Sequence, residues 1–260
     1  MNRNLHFSAI AWRSEVGLHR EGNEDSGLAA QDLIAVADGM GGYVGGEIAS
    51  SLVIHQLENL LPLLSNTDID TDSKEDLLRS SISTMDSAIA ELGAAKPELH
   101  GMGTTLTSVA AINGYAILLH VGDSRAYRVR GKKITQISHD HTVVQELIDQ
   151  GRLNPDEVAE HPQRSLLTQA LMGNHNIEPA LIAFPLEPDD IYLVCSDGLT
   201  SVVDESKIAS AFTTDLQQGI DSLIDLTYKN GAPDNVTIIA ARVGEAPLLL
   251  SPTTIGAARS

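Results

Sequence analysis

The sequence predicts an α+β fold of antiparallel sheets covered by helices, not a doubly wound parallel sheet. Two observations carry this. Short β-leaning segments arrive in consecutive groups between pairs of helical segments, without strict βαβ alternation. Within the central group, Asn113-Gly114 and Arg130-Gly131 stand between neighbouring strands as tight-turn signals, which join antiparallel partners.

In chain order, residues 33–37 form an apolar run that ends at Asp38-Gly39, a buried strand. Residues 47–61 carry Ile48, Leu52, Leu57 and Leu60/Leu61 near one face and stop at Pro62, which reads as a helix. Residues 66–73 are a polar linker. A second helix comes next, with Leu77, Leu78, Ile82, Met85, Ile89 and Leu92 at helical spacing and Gly93 at its end. The strand-rich block comprises residues 104–112, 115–121, 126–129 and 133–137. Residues 142–150 and 155–159 are short helices, the second opened by Asn154-Pro155. Residues 191–195 are another apolar strand, ending at Ser196-Asp197-Gly198. Helices at 205–212 and 215–228 and a last strand at 236–243 complete the pattern. Residues 244–260, with Pro247 and Pro252, read as a tail or the start of a linker.

Composition narrows the function. The 260 residues hold 35 Asp plus Glu against 17 Lys plus Arg, a formal net charge of −18. So acidic a surface disfavours a nucleic-acid grip, which needs cations to replace the counterions of phosphates, and equally disfavours docking on anionic lipid. Cys195 is the one cysteine and cannot form an internal disulfide. No apolar run approaches the roughly 20 residues of a membrane span, and Arg13 and Glu15 interrupt any signal-peptide core. The expectation is a cytoplasmic monomer, or the soluble part of a longer, membrane-anchored protein.

Phosphate-loop, nucleophile-elbow and zinc-protease motifs are absent from the sequence. Cys195, inside an apolar strand, reads as an inert buried thiol. There remains a set of aspartates at strand ends. Asp38-Gly39 and Asp197-Gly198 each close an apolar strand, yet each leads on towards a helix and not into an alternating partner strand, so the hairpin reading is the weaker one. Carboxylates projecting from strand ends into one cleft repel each other unless a cation lies between them, and oxygen ligands of this kind suit Mg²⁺ or Mn²⁺. Asp123, after the strand at 115–121, and Asp234, before the last strand, have similar settings. Arg20, Glu24 and Asp25 form a charged cluster near the amino end, in which Arg20 is either a salt-bridge partner or a phosphate clamp. His139 and His141 read as flap surface and not as a zinc pair.

Taken together and in order, Arg20-Glu-Gly-Asn-Glu-Asp25, Val36-Ala-Asp-Gly-Met-Gly-Gly42, Gly101-Met-Gly-Thr-Thr105, Val121-Gly-Asp-Ser-Arg-Ala126, His161-Pro-Gln-Arg-Ser165, Leu167-Thr-Gln-Ala-Leu171, Ser196-Asp-Gly-Leu-Thr200 and Asp234-Asn-Val-Thr237 resemble the metal-dependent protein serine/threonine phosphatases of type 2C, the bacterial branch above all. The resemblance runs from about Ala11 to Val243 and implies one catalytic domain over residues 1–243, folded as a four-layer αββα sandwich.

The resemblance also implies roles. Asp38 would bridge two Mn²⁺ or Mg²⁺ ions and the Gly39 carbonyl would bind one of them. Asp197 and Asp234 would complete that site, and Asp25 would act mainly through bound water. Asp123, with Asp197 and Ser165, matches a third, weaker metal site. Arg20 matches the phosphate-binding arginine, and residues 139–165 the flap. The implied reaction is hydrolysis of phosphoserine and phosphothreonine in proteins by a metal-activated water, without a covalent enzyme intermediate, opposing a serine/threonine kinase. Eukaryotic relatives place a histidine directly after the Asp-Gly pair; this chain has Met40 there, whose thioether cannot donate a proton to the leaving alkoxide. Two rival readings are a catalytically silent phosphoprotein-binding module, disfavoured by the retained aspartates, and a two-metal nuclease or small-molecule phosphoesterase.

Overall fold

The computed structural model describes residues 5–41, 45–175, 177–212 and 215–259; Gly42, the last residue of its motif, lies outside the described residues. Two antiparallel sheets pack face to face. The first has five strands in the order β1 (His6–Glu15), β11 (Val236–Gly244), β10 (Ile191–Cys195), β7 (Arg125–Arg130) and β8 (Lys133–Gln136). The second runs β12 (Thr253–Gly256), β2 (Asp25–Ala30), β3 (Leu33–Met40), β5 (Leu106–Ile112), β6 (Tyr115–Val121) and β9 (Ala180–Pro185), with β4 (Gly103–Thr104) paired to the end of β3.

Alternation along each strand builds three apolar layers. Ile34, Val36, Val109 and Leu118 from the second sheet meet Phe7, Tyr192, Val194 and Ile239 from the first between the sheets. The outer face of the second sheet is covered by α1 (Gly45–Glu58) and α3 (Thr71–Ala95), with the short α2 (Leu61–Leu64) between them. The outer face of the first sheet is covered by α5 (Asp197–Thr200), α6 (Glu205–Ala211) and α7 (Leu216–Lys229). The expected αββα sandwich is therefore the observed architecture. Between β8 and β9 lie α4 (Val143–Asp149) and a 3₁₀ turn, Pro155–Glu160, which is the expected flap region.

Several expectations need correction. The tail is not a linker throughout: Thr253–Gly256 is an edge strand paired with β2, and Ile255 and Ala258 are buried. Its stabilisation comes from backbone pairing and two apolar contacts, too few to leave a periodic signal. Part of the polar stretch at 66–73 already belongs to α3, which starts at Thr71 because the Asp70 carboxylate accepts the Ser73 N–H at 2.8 Å as its cap. The fully buried face of α1 is Gly45, Gly46, Ala49, Ser50, Val53, Ile54 and Leu57; of the expected stripe, Leu57 lies on it, while Ile48 and Leu52 pack half-buried against the same core. Small residues there allow the helix to lie close against β3.

Candidate metal centre

The antiparallel register of β2 and β3 sets Asp25 directly opposite Asp38. At the end of β3 the Asp38 N–H donates to Thr105 Oγ1 at 3.0 Å, and the Thr105 N–H donates back to the Asp38 carbonyl at 3.0 Å. The glycines after the two aspartates have a packing reason. A Cβ on Gly39 would collide with the carbonyl oxygens of Gly46 and Glu24, and one on Gly198 with the carbonyl of Asn235. Both Asp-Gly pairs thus mark places where two backbones meet, and neither is a hairpin turn.

From the other sheet, β10 ends at Cys195 and α5 opens on Asp197. Between them, Ser196 Oγ donates to Asp25 Oδ2 at 2.7 Å and accepts the Thr237 N–H at 3.0 Å, tying the two sheets together under the pocket. Asp234 precedes β11. Its neighbour Asn235 donates to the carbonyls of Val16 and Gly22 and accepts the Glu24 N–H, so one side chain fixes the loop between β1 and β2 at three points.

These carboxylates share a low-dielectric pocket. Burial, with Asp197 and Asp234 nearby, pushes Asp25 from an ordinary 3.8 up to about 7 against the pull of Ser196 and Thr237. Burial and the charges of Asp25, Asp197, Asp123 and Asp234 raise Asp38 well above the usual carboxylate range. Asp197 is raised by burial and Asp234, and Asp123 is pushed to about 7 by burial and the nearby Asp197. One oxygen of the buried Asp25, Oδ1, has no hydrogen-bond partner. An orphaned buried oxygen amid mutually repelling carboxylates fits a divalent cation held by hard oxygen donors. Among the described residues, no three acidic, histidine or cysteine side chains stand in position as a ready-made ligand set. The chain brings the carboxylates to one pocket; it does not close them on a point.

The remaining predicted residues fall around this core. Arg20 is exposed at the rim, with Nη2 2.7 Å from Asp234 Oδ2, so it is a salt-bridge partner of a predicted ligand. A cleft of about 480 Å³ beside the core is lined by Asp123, Asp197, Ser165, Asp140, Arg125 and Arg164, which joins the predicted third-site residues to the flap. His139 is exposed and pairs with Asp149, as flap surface would. His141 is not surface: its ring lies 4.9 Å from that of buried His120, and its Nδ1 accepts the Gly122 N–H. Sequence reasoning missed Thr105, Ser196 and Asn235 as supports, although all three stand inside the family motifs. Ser196 and Asn235 stand beside an aspartate, the one signal that could have marked them; Thr105 has no such neighbour.

Comparison with known sequences decides the family. A profile described as protein phosphatase 2C matches residues 23–222, most of the chain. The chain belongs to the protein phosphatase 2C family. It is 43% identical to the serine/threonine protein phosphatase PstP of Mycobacterium tuberculosis over 237 residues, covering 90% of this chain and 44% of that protein. It therefore spans less than half the length of PstP. It is 33% identical to the protein phosphatase PhpP of Streptococcus pneumoniae, covering 91% of this chain and 98% of PhpP. Among solved structures of this family, the catalytic domain of PstP in complex with two manganese ions superposes with a TM-score of 0.83 at 40% identity, covering 92% of this chain and 99% of that one.

Proposed function

We propose that the chain is an Mn²⁺- or Mg²⁺-dependent protein phosphatase that hydrolyses phosphoserine and phosphothreonine in cytoplasmic proteins and opposes a serine/threonine kinase. The observation that carries this is buried Asp25, with one unpartnered oxygen, directly opposite half-buried Asp38, both facing Asp197 and Asp234 and with Asp123 near Asp38. Asp38, the Gly39 carbonyl, Asp197 and Asp234 would hold two ions, with Asp25 acting mainly through bound water; Asp123, Asp197 and Ser165 would hold a third. The ions supply charge neutralisation and an acidified water for attack on phosphorus. The chain's own part is to hold these acids together against their repulsion, and to present the Arg20 guanidinium at the rim for a phosphoryl group.

Hydrolysis of a phosphothreonine peptide is expected to vanish in EDTA and to return with Mn²⁺. Asp38→Ala should lower kcat by at least about 10³-fold, equivalent to about 4 kcal/mol of barrier, with the fold intact by circular dichroism. Full activity in metal-stripped protein would overturn the proposal.

A further inference from the structure

Asp86 lies on α3 within the apolar stripe of Ile82, Met85 and Ile89, and only 1% of it is exposed. A carboxylate there is costly unless its oxygens are satisfied. They are, and all by one loop: Asp86 Oδ1 accepts the N–H groups of Met172 at 3.0 Å and Gly173 at 2.7 Å, and Oδ2 accepts that of His175 at 2.8 Å. The His175 ring adds Nδ1 at 3.3 Å from Oδ2. One turn further along the same face, a Cβ on Gly173 would sit 2.7 Å from Ala90 Cα, so the loop is seated directly on the helix.

The loop leads back to the pocket. Leu171, the residue before it, exchanges both backbone hydrogen bonds with Thr104 at 2.9 Å each. Thr104 pairs with Gly39, and its hydroxyl donates to the Asp38 carbonyl at 2.9 Å. The geometry points to Asp86 as a positioning residue for the metal-binding strand end: by gripping residues 172–175 it keeps Leu171 on Thr104 and thereby fixes the backbone of Asp38 and Gly39. This rests on the proposed metal site. Thr104 is the group in direct contact with a predicted ligand, and such contacts govern metal affinity by orienting the ligand; Asp86 acts on it through Leu171.

The test uses the full chain with Asp86→Asn, Gly173→Ala and, as a control, Asp70→Ala, which removes the exposed cap of the same helix. Mn²⁺ binding by calorimetry, amide hydrogen exchange and melting temperature are measured on each. Asp86→Asn and Gly173→Ala should each weaken Mn²⁺ binding about tenfold and speed exchange at the Thr104 and Leu171 amides, with KM for a small aryl phosphate unchanged. Asp70→Ala should lower the melting temperature and leave the other readouts alone. Equal weakening of Mn²⁺ binding by Asp70→Ala, or a change confined to melting temperature in Asp86→Asn, would overturn the inference. If the unmodified chain bound no Mn²⁺, the phosphatase reading would fall by itself, and unchanged protection of Thr104 in both loop variants would then overturn the linkage.

Discussion

Two buried acids show how differently this chain treats negative charge. Asp190, fully buried just before β10, is gripped by Arg130, with Nε and Nη2 each 2.7 Å from its oxygens, and accepts the Glu187 N–H as well. Asp140 is held in the same way by Arg125 and Gln136. Asp25, equally buried where the two sheets meet, has a serine hydroxyl on one oxygen and nothing on the other, and it faces Asp38. The chain thus matches Asp190 and Asp140 with internal cations and leaves Asp25 and Asp38 without one. The difference teaches that the central charge awaits a cation from outside, because an unpaired buried carboxylate is otherwise neutralised or expelled.

The widest separation between the two regions is expected from a pair of alanine variants. Asp197→Ala should lower kcat by at least about 10³-fold and leave the metal-free melting temperature equal or higher, since it removes repulsion. Asp190→Ala should spare kcat and lower stability by roughly 2 kcal/mol, the worth of hydrogen bonds to a charged group. Reversed effects in kinetics and thermal melts would erase the distinction.

The pH dependence sharpens it further. Asp25 and Asp123 sit at about 7 in the folded, metal-free chain, above an ordinary 3.8. The folded state therefore binds more protons than the unfolded one between those values. Their contribution to stability is fully present below about pH 4 and is lost as pH rises through about 7. Denaturant titrations without metal should show this fall, Asp25→Asn should flatten it, and Mn²⁺ should restore stability at pH 8 by binding the deprotonated carboxylates. A wild-type curve no steeper than that of Asp25→Asn would contradict the assignment.

The smallest effect is expected at the rim. Arg20 is exposed and already paired with Asp234, so Arg20→Ala should raise KM for a phosphopeptide about tenfold, as the loss of one charge-assisted contact does. Arg20→Lys should recover part of that. An unchanged KM would leave Arg20 a salt-bridge partner only.

Much of this was legible in the sequence, for physical reasons. Apolar runs such as 115–121 and 191–195 mark strands buried on both faces, and the structure places β6 and β10 on those residues. The aspartates could be found because an acid plus glycine at the end of an apolar strand, with a helix after it, fits no ordinary turn. Strands β1, β2, β9 and β12 were not read. β1, β9 and β12 pair at sheet edges and β9 is half-exposed, while β2 is buried but carries one large apolar side chain, Leu28, so the stability of all four is tertiary and leaves little periodic trace. The supports Thr105, Ser196, Asn235 and Asp86 were invisible for a related cause. Each acts by hydrogen bonds to distant backbone, and no local pattern encodes which backbone will arrive. The expectation for His141 failed for the same reason, because its partner His120 lies on β6, with β7 and β8 between them in the chain.

The central claim is that the Asp25–Asp38 pocket holds divalent cations. Anomalous diffraction from crystals soaked in manganese tests it most directly. Two strong peaks within bonding distance of the Asp38 carboxylate, with oxygens of Asp197 and Asp234 and the Gly39 carbonyl around them, are the predicted result. Peaks confined to surface carboxylates, with the pocket showing none, would contradict it.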